Sequence, residues 1–127
     1  MSNSALLLLG RILIAAIFIF AGFGKLTNIG GTAGYFGSLG IPMPMISAVL
    51  VGLVELVGGL AVLVGFKTRI AALVLAAFTL AATLIAHLDF GDQMQVTMLL
   101  KNLAIIGGFL TLIAHGAGSL SLDTRRS

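Results

Sequence analysis

Residues 46–64 read ISAVLVGLVELVGGLAVLV, a run in which Glu55 is the single charge. About 20 mostly apolar residues cover the hydrocarbon of a bilayer at about 1.5 Å of rise each, so this stretch predicts a membrane-crossing helix with an acid near its middle. Working outward, residues 5–24, 70–88 and 96–114 meet the same test. Four such spans in one chain predict an all-α membrane protein, a four-transmembrane-helix antiparallel bundle forming one domain over residues 1–127. The composition agrees. Only 9% of the residues are charged, against about 25% in soluble proteins, and 59% are hydrophobic, which excludes a water-soluble globule. Arg11 lies inside the first apolar run and no small-x-small site follows it, so that run reads as a permanent helix and not a cleaved signal.

Cysteine is absent, which excludes disulfides, thiolate metal sites and iron–sulfur clusters on this polypeptide. The net charge of +3 is scattered. No basic stripe tracks a phosphate backbone, so nucleic acid is not an expected partner. Histidines and carboxylates are too dispersed for a hard metal site, and no metal is expected.

The connections differ in length. Residues 65–69, GFKTR, make a tight turn between antiparallel neighbours, and residues 89–95 are short and acidic. The first connection, residues 25–45, is long and rich in glycine. It has room for a short interfacial helix capped by Thr32, running through Leu39 and stopped by Gly40 and Pro42. The tail, residues 116–127, is polar and reads as frayed. Lys67, Arg69, Arg125 and Arg126 fall on the side of the termini, which the positive-inside rule makes cytoplasmic. The protein is thus expected to be a multi-pass membrane chain with both termini cytoplasmic and the lipid bilayer as its first partner.

Each span carries a stripe of small and polar residues at helical spacing. The stripes are Arg11, Ala15, Phe18, Gly22 and Lys25; Ala48, Gly52, Glu55, Gly59 and Val62; Ala72, Ala76, Thr79, Thr83 and His87; and Thr97, Lys101, Ala104, Gly108, Thr111 and His115. Lipid gives apolar side chains no reason to associate helices, so close backbone approach and interhelical hydrogen bonds must do it, and all four stripes are expected to face inward.

The candidate polar core is Arg11, Glu55, His87, Lys101 and Asn102, with Lys25 and Arg69 as boundary cations. A central acid costs roughly 2.5–3.5 kcal/mol to insert, so Glu55 requires a partner, a proton or a wet cavity. Arg11 and Lys101 are both long enough to reach it, and the choice between them stays open. His87, with Thr83 a turn earlier and Asp89 two residues later, is placed to exchange a proton with a ligand.

These residues carry a resemblance. Gly10-Arg-Ile-Leu13, Ala21-Gly-Phe-Gly-Lys-Leu26, Glu55 followed by Gly58-Gly59, Gly65-Phe-Lys-Thr-Arg69, His87, and Lys101-Asn-Leu103 followed by Gly107-Gly108 occur in the order and spacing of the DoxX family of small bacterial inner-membrane proteins. The chain resembles the enterobacterial-type branch more than the archaeal thiosulfate:quinone oxidoreductase subunit that gives the family its name. The resemblance implies a link to quinone or membrane redox chemistry, with quinone as cofactor and a membrane redox partner. It maps onto Arg11, Lys25, Glu55, Arg69, His87 and Lys101 without giving any of them a catalytic role.

Three functions compete on this reading. One is an accessory or stress-linked redox protein that accepts a quinone head group near His87 and Lys101. Another is a small proton-coupled transporter working through Glu55, and a third is a non-enzymatic scaffold or homo-oligomer joined through its glycine faces.

Overall fold

A computed structural model describes residues 2–126, and the side chains of residues 2–124. The side chains of Arg125 and Arg126, counted above for charge, lie outside that description. The elements are α1 (Asn3–Leu26), α2 (Ile29–Ser38), α3 (Pro44–Val64), α4 (Thr68–Ala86), α5 (Gln93–His115) and the short α6 (Leu122–Arg126). Among the described residues there is no strand. α1, α3, α4 and α5 are long and apolar enough to cross a membrane. They begin and end within a few residues of the spans read from sequence. α1 and α5 gain most, because Ser2 and Asp92 accept hydrogen bonds from the N–H groups of Ala5 and Met94 and so extend the first turns.

The short helix of the first connection is capped four residues before the expected Thr32. Asn28 is its cap, accepting from Gly31 N–H at 3.2 Å, while the Thr32 hydroxyl donates back to the Asn28 carbonyl. Gly40 does stop the segment in the left-handed region at φ 77°.

Packing follows the glycines on α1 and α3. A Cβ on Gly22 would lie 2.5 Å from Leu56 N and 2.7 Å from the Gly52 carbonyl, and one on Gly59 would strike Ile19. Backbones this close leave no room for a side chain, which is how small residues join helices in lipid. α3 then packs on α4, where Leu75 fills the space beside Gly58, and α4 packs on α5. α2 lies along α3 through buried Ala33 and Phe36. The four spans therefore form an arc in chain order, and the seam between α1 and α5 is the loose one. It is bridged by Phe18 and Phe109, whose ring centroids stand 5.4 Å apart at 52°.

That loose seam explains one departure from the sequence reading. The stripe expected to face inward on the last span is only partly covered: Thr97, Lys101, Ala104, Thr111 and His115 are exposed, Thr111 and His115 on an open cleft beside α1, and Gly108 is half-buried against Ile14. Phe109 and Leu112 are the buried residues of α5. Large side chains fill the interior here because α5 stands off from α1, and Gly108 and Thr111 of the stripe line the open seam instead.

A second departure is the tail. It is docked through residue 124, with Ala117 and Ser121 buried. The Ser119 hydroxyl donates to the Ser4 hydroxyl at 2.6 Å, which ties the tail to the start of α1. Asp123 accepts from Lys67 N–H at 2.5 Å and Thr68 N–H at 2.9 Å, and its own N–H donates to the Gly65 carbonyl. The reason is an unmet need at α4. Lys67 caps it in the left-handed region at φ 45° and offers no side-chain cap, so the orphan N–H groups of that first turn take a carboxylate from the tail.

Candidate functional site

Arg11 and Glu55, the two charges deepest in the sequence spans, do not meet. Arg11 is 1% exposed and works at the end that carries both termini. Its Nη1 donates to the carbonyls of Val62 (3.3 Å) and Leu63 (3.1 Å), and its Nη2 to the Leu120 carbonyl. A cation on the last carbonyls of α3 is favourable against the helix dipole. Gly65 is required beside it: its φ is 74°, and a Cβ would collide with Arg11 Nη1 and Ser121. Arg69 is exposed and lies against the end of α5, close to Gly116.

Glu55 instead pairs with Lys25, Oε1 to Nζ at 2.7 Å. Lys25, read from sequence as a boundary anchor, was the missing partner. Its signal lay in the register: Gly22 faces Gly52 and Leu56, so Lys25, one turn further along α1, needs only its four-carbon stem to reach back to Glu55 on the antiparallel helix.

This pair stands in the wall of a cavity of about 480 Å³. Phe18 and Ile17 close it toward the end with the termini, while Tyr35 and Phe36 of α2 and Leu39 just beyond it cover it on another side. Ala21, Val51, Phe78, Ala82 and Ile105 supply apolar walls, so residues of all five longer helices contribute. Few polar groups interrupt them: the Lys25–Glu55 pair, Ser47, Thr79, His87 and Asn102.

Two of these are held from outside. His87, the residue that ends α4, has Nδ1 2.5 Å from Gln95 Oε1. An amide oxygen only accepts, so in this pairing Nδ1 is the donor and Nε2 is left for another partner. Gln95 is the orienting partner; neither Thr83 nor Asp89 fills that role. Asn102 Nδ2 donates to the Thr83 hydroxyl at 2.9 Å, which in turn donates to the Thr79 carbonyl at 2.7 Å. Lys101, its neighbour, is exposed and is not part of the cavity wall. The structure thus gathers Glu55, His87 and Asn102 with Lys25 around one space, and leaves Arg11, Arg69 and Lys101 elsewhere. Thr79 lies on the stripe expected to face inward, whereas Gln95 was not foreseen, being an ordinary polar residue near a helix end.

Outside the spans, Asp123 shows how the tail is tuned. Partial burial acts to raise its affinity for a proton, but hydrogen bonds from Thr68 and Lys67 and the charge of Arg11 outweigh that, and its carboxyl titrates below its ordinary value.

Comparison with known proteins agrees with this architecture. The family model described as DoxX matches residues 6–88. The chain is 44% identical over 116 residues to the Escherichia coli (strain K12) protein named "Inner membrane protein YqjF", covering 91% of this chain and 88% of that one. It is 38% identical to "Inner membrane protein YphA" of the same organism, over 98% and 92% of the two chains. A Bacillus subtilis (strain 168) protein named "Putative oxidoreductase CatD" is 40% identical over 61% of this chain and 56% of its own length. No solved structure matches.

Proposed function

This chain belongs to the DoxX family and is a multi-pass inner-membrane protein, and on that premise we propose that its cavity receives the head group of a quinone in the service of membrane redox chemistry. The observation that carries the reading is the cavity itself. A space of about 480 Å³ with apolar walls and a few convergent polar groups has the make-up of a small-molecule site. A quinone is an apolar ring with carbonyl oxygens at its edge, and Lys25 and Asn102 bring N–H donors to the same wall. Neutral His87 accepts from a hydroquinone hydroxyl through Nε2, and the protonated ring donates to a quinone carbonyl, so one residue serves both oxidation states. The redox direction is supported by the name of the Bacillus subtilis relative and by the family's resemblance to a quinone-linked subunit. The chain acts in this reading as an accessory that holds and positions the quinone for a membrane redox partner. In this reading its termini face the cytoplasm, the side favoured by the excess of Lys and Arg at that end of the sequence.

The test is to purify the full chain in mild detergent, identify lipids that co-purify, and measure equilibrium binding of a short-chain ubiquinone. One equivalent is expected. Asn102→Leu removes one hydrogen bond, about 1.4 kcal/mol, and should weaken binding about tenfold. Absence of both retained and added quinone overturns the proposal.

A further inference from the structure

A second cavity, of about 490 Å³, lies on the loose seam between α1 and α5, on the other side of the Phe18–Phe109 pair. Asn3, Leu7, Arg11 and Ile14 of α1 and Leu112 and His115 of α5 are among the residues that form it. From Asn3 to Ile14 α1 rises about 16 Å, close to half of the roughly 30 Å hydrocarbon thickness. The cleft is therefore about one leaflet deep. Its polar groups gather at the end with the termini: Asn3 stands in the first turn of α1, where the helix dipole favours an anion, His115 is exposed across the cleft from it, and Arg11 is buried in the wall with its Nε unpartnered among the described residues. Among the described side chains, this end of the protein carries Arg11, Lys67 and Arg69 against one acid, Asp123. Leu7, Ile14 and Leu112 supply an apolar lane between these groups.

We propose that this cleft is a binding site for one anionic phospholipid of the leaflet on the side of the termini, an acyl chain lying along Leu7, Ile14 and Leu112 and the phosphate drawn to the Asn3, Arg11 and His115 end. The length of the cleft selects a lipid, since a single chain of one leaflet fits it. The charge excess selects an anionic one, because each basic residue near such a headgroup favours it roughly fivefold. Gly10 explains why the cleft is open: it is exposed on α1, and a Cβ there meets nothing within 4 Å. The inference stands on this cavity alone and is independent of the quinone reading.

The experiment uses the full chain in nanodiscs of phosphatidylcholine containing an equal share of phosphatidylglycerol, followed by native mass spectrometry after mild release. The expected result is one retained lipid per chain, with phosphatidylglycerol favoured roughly fivefold. Gly10→Leu, whose Cβ meets nothing within 4 Å, puts a side chain into the cleft and should abolish retention; Thr111→Leu, from the facing helix, is the second blocking variant should the first fail to fold. His115→Gln should keep a retained lipid while reducing the preference. Equal retention of the two lipids overturns the proposal, as does retention unchanged by both blocking variants. A dimer that either variant breaks also overturns it, because a second copy then occupies the cleft.

Discussion

Lys25 Nζ lies 2.7 Å from Glu55 Oε1, and this pair is what allows a helix as apolar as α3 to carry an acid. Glu55 is 6% exposed, so removing either partner strands the other in an apolar wall. Glu55→Gln should therefore destabilise the protein by about 1–3 kcal/mol, below the 3–5 of a fully buried pair because Lys25 keeps some exposure. The double change Lys25→Met with Glu55→Gln should recover part of that loss. Thermal unfolding in detergent, run as a double-mutant cycle, measures both.

Gly22 and Gly24 make a matched pair of controls for the contact of α1 with α3. Gly22→Ala places a Cβ within 2.5 Å of Leu56 N, whereas Gly24→Ala meets nothing within 4 Å. The first should lower stability by about 1–3 kcal/mol. The second should leave it unchanged or raise it slightly, since alanine is the better helix former. Comparing the two midpoints separates helix contact from helix propensity.

The tail predicts a pH dependence. The carboxyl of Asp123 titrates below its ordinary value in the folded protein. Such a group contributes stability that is fully present above the ordinary carboxylate range, near pH 4, and that is lost as the pH falls through the folded value. The thermal midpoint should thus drop between pH 5 and the acid limit, and Asp123→Asn should flatten that part of the curve while lowering stability at pH 7. A wild-type acid slope identical to the variant's would remove Asp123 from the account.

His87 supplies a spectroscopic prediction. With Nδ1 bonded to Gln95 Oε1, the neutral ring should show nitrogen chemical shifts of the tautomer protonated at Nδ1. Gln95→Leu should let the ring revert to the mixture found in exposed imidazoles. Nitrogen-15 spectra of histidine-labelled protein read this directly.

The spans were legible from sequence because membrane crossing is a matter of length and hydropathy, which local residues determine. The α1–α3 contact was legible too: Gly22, Gly52 and Gly59 sit on stripes, and only small residues permit the approach they make. The partner of Glu55 depends on the relative height of two helices separated by a 17-residue excursion through α2, and hydropathy carries no information on height. On α5 the same small-residue logic pointed the wrong way. Thr97, Ala104 and Thr111 look like a contact face, but α5 is held off from α1 by Phe18 and Phe109, and the interior there needed volume. The tail was illegible because it has no periodicity; what fixes it is the bare first turn of α4, a demand set elsewhere in the chain.

The cavity lined by Glu55, His87 and Asn102 is tested most directly by photolabelling with an azido-ubiquinone in native membranes, with the modified positions located by mass spectrometry. Label should concentrate on cavity residues such as Phe18, Ala21, Phe78, Ala82 and Ile105, and excess unlabelled quinone should compete it away. Label confined to outward-facing side chains such as Phe20, Leu60 and Leu84, or label indifferent to competitor, would contradict the account.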